Sequence, residues 1–226
     1  MLLETQERKT SADVVFDYLH EQINTLQLMP GTKISEAEIA AKFGVSRQPV
    51  RDAFSRLGNY DLLLIRPQKA TVIKKFSLNA ITAARFMRLS VELEVLRKAL
   101  INWTPKWREK LMECIATQED AVARGDADAF HKSDYTFHQL LCQVADAEFA
   151  FDIIQENKAK VDRLCVLSLG AKDTMPELLE DHKQMLDQLE NGDEAGLCLT
   201  IRRHLSRLDS TVDDIYEKHA DYFEAD

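Results

Sequence analysis

Residues 44–54 read Gly44-Val45-Ser46-Arg47-Gln48-Pro49-Val50-Arg51-Asp52-Ala53-Phe54, and their reading decides the fold of the first third of the chain. Gly44 suits the end of one helix, and Ser46 is placed to cap the next, which the pattern carries to about Leu57. Working back, Ser35 with Glu38 three residues on predicts a capping box that opens the helix Gly44 closes. Further back, residues 13–27 carry Val15, Leu19, Ile23 and Leu26 at helical spacing, and Met29-Pro30-Gly31 breaks that helix. Working forward, Leu62 to Ile65 and Thr71 to Ile73 are short β-prone runs around Pro67-Gln68-Lys69-Ala70, which predicts a hairpin. Helix, helix, tight turn, helix and hairpin in that order predict a winged helix-turn-helix.

Such a fold reads DNA with the N-terminal turn of its third helix in the major groove. There the free backbone N–H groups and the Ser46 hydroxyl can meet phosphate. Arg47 and Arg51, four apart, project from one face and can grip guanine or clamp phosphate. Gln48 can read adenine or a phosphate, while Val50, Phe54 and Leu57 anchor the helix from another face. Lys69 stands at the hairpin tip, where a wing touches the DNA backbone or minor groove. Two isolated arginines would read as solvated charges; the complete surrounding pattern favours DNA.

Charge agrees with that division. The chain of 226 residues has a net charge of −9, yet residues 1–75 carry +2 and the remainder −11. Only the first third can approach phosphates without strong repulsion. No apolar run spans a bilayer, and Met1 to Thr10 lacks the apolar core of a secretory signal, so a cytoplasmic location is expected. Cys114, Cys142, Cys165 and Cys198 are too scattered for a disulfide framework or a zinc ribbon and read as packed thiols.

From Leu78 onward the pattern is helical. Breaks near Thr104-Pro105, Arg124-Gly125-Asp126, Asp146-Ala147, Asp173 to Pro176 and Asn191-Gly192-Asp193 predict about six helices in an antiparallel bundle. The expected organisation is a winged helix-turn-helix domain over 1–75, a linker over 76–79, and an all-helical domain over 80–226. The fold class is mainly α.

Three of the bundle's apolar stripes contain ionisable groups. Asp134 falls among Phe130, Phe137, Leu141 and Val144, with His138 at the shoulder. His182 sits among Leu178, Met185, Leu186 and Leu189, and His204 among Leu197, Ile201, Leu205, Leu208 and Ile215. Burying an unpaired carboxylate costs several kcal/mol. One divalent cation would satisfy all four groups. The donors suit Zn²⁺ first, and also Ni²⁺, Fe²⁺ or Mn²⁺. Singly, each histidine reads as a hydrogen-bonded core residue; jointly they favour metal. Cys142 is a conceivable fifth ligand but reads better as a packed thiol. His20, His131 and His219 read as ordinary residues.

The run VSRQPVRDAF, after ISEAEIAAKFG and MPGTKI, resembles the GntR family of bacterial regulators, and the helical remainder resembles its FCD subgroup. The resemblance implies a homodimer on a pseudo-palindromic double-stranded operator, with Arg47 and Arg51 matching the family's DNA-contacting arginines. It implies a D-x-x-x-H, H, H ligand set at Asp134, His138, His182 and His204, and small organic or sugar acids as effectors. Arg88 and Glu92 match the subgroup's R-x-x-x-E pattern. Arg88 can pair an effector carboxylate or form a surface ion pair with Glu92, and Arg85 is a second candidate. Asp61 and Ala70 stand where the family usually has Gly, and Ala37 where some members have a DNA-contacting Arg. The expected function is a regulator whose metal-dependent sensing of a small carboxylate changes operator affinity. The alternatives are a constitutive DNA-binding regulator with a structural metal, and a metal-dependent hydrolase; no HExxH motif supports the latter.

Overall fold

The computed structural model describes residues 9–67, 69–169, 174–207 and 209–224; the side chains at 162, 165–169, 209–211, 213 and 214 are not described. Readings that fell on Met1 to Arg8, Gln68, Leu208 and the Cys165 side chain therefore lie outside the described residues. The chain divides into two units. The first takes the described residues up to Leu78 together with those from His219, and the second runs from Asn79 to Lys218.

The first unit is built from α1 (Ser11–Asn24), β1 (Lys33–Ile34), α2 (Glu36–Phe43), α3 (Arg47–Asn59), β2 (Leu63–Leu64) and β3 (Thr71–Ile73). Helix α1 starts two residues earlier than the apolar pattern suggested, because Thr10 and Asp13 form a reciprocal capping box. Ser35 Oγ accepts the Glu38 N–H, and Gly44 closes α2 in the left-handed region at φ 63°. Ser46 occupies the cap position of α3, but its hydroxyl makes no capping bond. Val15, Leu19, Ile23, Val50, Phe54 and Leu57 close the core between α1 and α3. The expected hairpin forms, with Leu63 opposite Ile73 and Leu64 opposite Val72. A third strand, β1, pairs with β3 on its other side, giving the order β1-β3-β2. Two residues are too few to show a period, so β1 was invisible in the sequence.

Of the residues expected to form a linker, Phe76 to Leu78 fall in the first unit and Asn79 opens the second. Phe76 is buried and bridges in parallel to Phe223, with ring centroids 5.3 Å apart. The Phe76 N–H donates to the Tyr222 carbonyl, and the Glu224 N–H to the Phe76 carbonyl. The end of the chain thus groups with the first unit rather than with the bundle expected to run to residue 226. A contact between residues so distant in sequence leaves no local signal.

The second unit holds α4 (Leu78–Ile101), α5 (Pro105–Arg124), α6 (Ala127–Val144), α7 (Phe149–Leu169), α8 (Thr174–Asn191), α9 (Glu194–Ser206) and α10 (Asp209–Lys218). Gly125 and Gly192 take left-handed turns after α5 and α8, and Asp126 and Asp193 cap the helices that follow. The break between α9 and α10 has no Gly or Pro to announce it, so the stripe from Leu197 to Ile215 reads in the sequence as one helix. Among the described residues no helix is long and apolar enough to cross a membrane.

Asp61 has φ 60°, which accounts for the glycine usual there. A Cβ in this conformation costs roughly 1–2 kcal/mol, and Asp is among the few residues that tolerate it. Its carboxylate meets Lys74 Nζ at 2.5 Å. Asp61→Ala is expected to lower the stability of this unit by about 1 kcal/mol in urea unfolding, and Asp61→Gly to leave it level or higher.

Candidate metal centre and DNA-reading helix

The four sequence-derived ligands converge. Asp134 and His138 lie one turn apart on α6, His182 comes from α8 and His204 from α9. All four are buried, and a ligand atom from each lies within 4.8 Å of those of the other three. Asp134 Oδ1 is 3.5 Å from His182 Nε2 and 3.8 Å from His138 Nε2. These spacings are long for hydrogen bonds. They are close to the separation of about 3.4 Å that a tetrahedral ion with bonds of about 2.1 Å imposes on its ligand atoms. His138 Nε2 and His182 Nε2, which face Asp134, are buried without a hydrogen-bond partner. Burial of unpaired polar atoms is costly, so the donor set fits a divalent cation.

Outer groups aim the rings. Gln118, fully buried on α5, donates from Nε2 to the Ser133 carbonyl at 3.3 Å, so its Oε1 accepts from His182 Nδ1 at 2.8 Å. That bond leaves Nε2 of His182 as the lone-pair nitrogen facing Asp134. His138 Nδ1 lies 2.8 Å from Glu92 Oε2, off the line of a hydrogen bond. His204 Nδ1 faces Asp181 Oδ2 at 3.6 Å. Asp181, fully buried, is clamped by Arg203 at 2.7 Å and Arg207 at 2.5 Å from α9 and its C-cap. The His182 ring stacks on Phe137 at 4.0 Å.

Lys158 of α7, missed in the sequence, is a further charged group at the cluster. Its ammonium is buried 3.1 Å from Asp134 Oδ2 and 4.5 Å from the Tyr135 ring centre. The Asp134 carboxylate therefore has a cationic side-chain partner as well; the unmet Nε2 atoms of His138 and His182 remain. The signal was present in the sequence: Lys158 falls on the apolar face of α7 between the buried Ile154 and Val161. Gln118 likewise falls among the buried Leu111, Cys114, Ile115 and Ala121.

Arg88 and Glu92 form a pair at 2.8 Å, as one reading expected, but a buried one rather than a surface one. Glu92 also turns its other oxygen to His138, so both residues belong to the support of the cluster. Arg85 lies half-buried on the same helix. Cys142 is a packed thiol whose pKa burial pushes up to about 12.

Burial and the neighbouring His204 hold His182 well below the usual imidazole range, and burial lowers His204 too, against the pull of Asp181. Burial would raise Glu92, but Arg88 and His138 outweigh it and hold the carboxyl at about 2. Burial would raise Asp134 as well, but Lys158 and then the histidines hold it far down.

In the first unit, Ser46, Arg47, Gln48, Arg51 and Lys69 are all exposed, the first four at the start of α3 and Lys69 on the β2–β3 turn. Arg51 is held by Glu36 of α2, with Nη2 3.2 Å from Oε2. Gln48 Nε2 donates to Asp52 Oδ1 at 2.8 Å. Arg56, by contrast, packs over Phe16 and pairs with Asp13.

The gntR family model of bacterial regulatory proteins matches residues 11–73, and the FCD domain model matches residues 84–207. The chain belongs to the GntR family, with an FCD domain. This GntR regulator is 32% identical over 225 residues to the HTH-type transcriptional repressor RspR of Escherichia coli K12, covering 99% of each chain. It is 25% identical over 195 residues to the gluconate operon transcriptional repressor of Bacillus subtilis, covering 82% of this chain and 78% of that one. The solved structure of E. coli McbR/YncC shares the fold, with a TM-score of 0.72 at 19% identity, covering 94% of this chain and all of that one. The family regulates transcription rather than catalysing a reaction, and its members bind DNA. The hydrolase reading falls with that membership.

A depressed histidine pKa makes stability sensitive to acid. Below about pH 6.5 an unfolded histidine takes a proton that His182 and His204 refuse, so stability is full above that pH and is lost as pH falls. The lowered carboxylates act in the same direction at lower pH. In EDTA, the melting temperature of the protein should drop between about pH 7.5 and pH 5.5. A level profile would mean that the rings protonate in place.

Proposed function

We propose that this GntR regulator senses a small organic or sugar acid through a divalent cation held by Asp134, His138, His182 and His204, and that the acid changes its affinity for an operator. The observation that carries this reading is the convergence of four buried ligand atoms, with His138 Nε2 and His182 Nε2 lacking any hydrogen-bond partner. Zn²⁺ suits the donors first, with Ni²⁺, Fe²⁺ or Mn²⁺ as alternatives. Such a cation supplies an open position that a carboxylate or hydroxyl can complete. The regulation of a gluconate operon by one relative supports the class of acid. A coupling of about 1–3 kcal/mol between acid and DNA would change operator affinity roughly 5–150-fold.

On the DNA side, Arg47 and Arg51 read base edges or phosphates, Gln48 reads adenine or a phosphate, the Ser46 hydroxyl and first-turn N–H groups meet phosphate, and Lys69 touches the backbone from the wing. The unused Ser46 hydroxyl and the Glu36 brace on Arg51 support these roles. A homodimer on a pseudo-palindromic, double-stranded operator is the assembly proposed. Exposed Phe86 and Met87 on α4 support a partner surface on the bundle. Residues 1–75 carry DNA binding and residues 80–226 carry sensing and dimerisation in this reading.

Arg51→Ala should weaken binding to a DNA fragment selected by the wild-type protein by roughly 5- to 150-fold in fluorescence polarisation, the equivalent of one base-reading arginine. Unchanged affinity would defeat the role of this helix. Elemental analysis should find about one divalent ion per wild-type chain, and almost none in a His182→Ala/His204→Ala variant of retained helicity. Equal metal content in both would defeat the sensor.

A further inference from the structure

We infer that Asp52 makes Gln48 a reader of adenine, by taking one amide N–H and leaving on Gln48 the donor and acceptor that match the major-groove edge of that base. The inference rests on the DNA-reading role proposed for α3 and chooses between the two partners open to Gln48 there. It begins with two parallel rows along the helix. Arg47 and Arg51 are four apart, and so are Gln48 and Asp52, one position further on. The first row carries donors only. The second carries an amide and a carboxylate, and the two are joined: Gln48 Nε2 donates to Asp52 Oδ1 at 2.8 Å. All four side chains are exposed, so both rows are open to a duplex docked on the start of this helix.

Counting donors and acceptors decides what the second row can read. A glutamine amide has two N–H donors and one carbonyl oxygen. An ionised carboxylate only accepts, so the atom that faces Asp52 is the nitrogen, and this fixes which way round the amide lies. One N–H is used there; one N–H and Oε1 are left. Adenine presents the N7 acceptor beside the N6 amino donor and engages both. Guanine presents two acceptors, N7 and O6, and needs the donor already spent on Asp52. Thymine O4 and the cytosine amino group each engage one of the two remaining groups and strand the other where water has been displaced. Phosphate takes donors only, and beside Gln48 it would meet the charge of the Asp52 carboxylate, which repels it. Asp52 is thus a positioning residue that acts through Gln48. Arg47 and Arg51 keep the contacts to guanine and phosphate.

The test uses the full-length protein and the DNA fragment that wild type selects from a random pool. Each position of the fragment is changed to the other three bases, and affinity is read by fluorescence polarisation. Wild type should prefer adenine at one position by roughly 5- to 150-fold, the range of a bidentate base contact. A 7-deazaadenine at that position lacks the N7 acceptor and should cost wild type roughly 2- to 12-fold, the worth of one hydrogen bond. Gln48→Ala should lose the adenine preference, become indifferent to 7-deazaadenine, and keep its preferences elsewhere. Asp52→Ala frees the amide to turn, so the preference at the same position should fall by roughly 2- to 12-fold. Asp52→Glu keeps an acceptor of the same charge and should retain it. A Gln48→Ala protein that binds every sequence more weakly by one common factor has lost a phosphate contact, and overturns the inference. So does a wild type indifferent to 7-deazaadenine, or an Asp52→Ala protein with the wild-type preference at that position. Loss of affinity in Arg51→Ala alongside any of these results leaves the role of α3 standing. An Arg51→Ala protein that binds as wild type overturns both.

Discussion

A carboxylate in a bundle core must be met by charge or hydrogen bonds, and the second unit is organised around meeting one. Asp134 is held by groups from every helix between α4 and α9. Lys158 of α7 pairs with it directly. His182 of α8 and His138 of its own helix turn Nε2 toward it, and His204 of α9 completes the group. Glu92 of α4 and Gln118 of α5 act one step out, through the far nitrogens of two of those rings. Around them Phe137, Leu141, Met185 and Ile201 keep water away. The low dielectric that this apolar wall creates strengthens each contact and raises the cost of each unmet atom. The polar network therefore specifies which helix faces which, while the apolar stripes supply most of the driving force.

In the proposed reading, the same constraint makes the site responsive. Imidazoles whose only inward neighbour is a shared carboxylate have lone pairs to offer, and the outer acceptor on His182 settles which nitrogen offers it. Clamping Asp181 between Arg203 and Arg207 stiffens the junction of α8 with the end of α9, where two of the ligands originate. A group that alters the charge at the centre thus touches the packing of several helices at once. That is the physical basis on which an effector domain can report occupancy.

The winged unit works by the opposite electrostatics. Its polar side chains at the start of α3 are exposed, and residues 1–75 carry a net charge of +2, which suits phosphate. Arg51 is not loose: Glu36 holds the guanidinium from the neighbouring helix, which restricts its rotamers before DNA arrives. Arg56 is spent on packing against Phe16 and Asp13. The division between the arginines follows from which face of α3 is turned to the core, where Val50, Phe54 and Leu57 are buried.

Most helices were legible because capping residues, Gly turns and apolar periodicity are local. Thr10 to Asp13, Ser35 to Gly44 and Gly125-Asp126 act within a few residues, and the stripe positions of Asp134, His182 and His204 required only a helical period. The convergence of those side chains on a common point, the pairing of Asp134 with Lys158, and the turn of Glu92 toward His138 depend on how separate helices pack. So do β1 and the union of Phe76 with Phe223, whose partners are remote along the chain. By itself the sequence determined which residues lie on a buried face, since burial follows from spacing along one helix. Tertiary structure alone decided which buried charge meets which, because that depends on the distance between side chains of different helices, and Coulomb and hydrogen-bond energies follow distance in space.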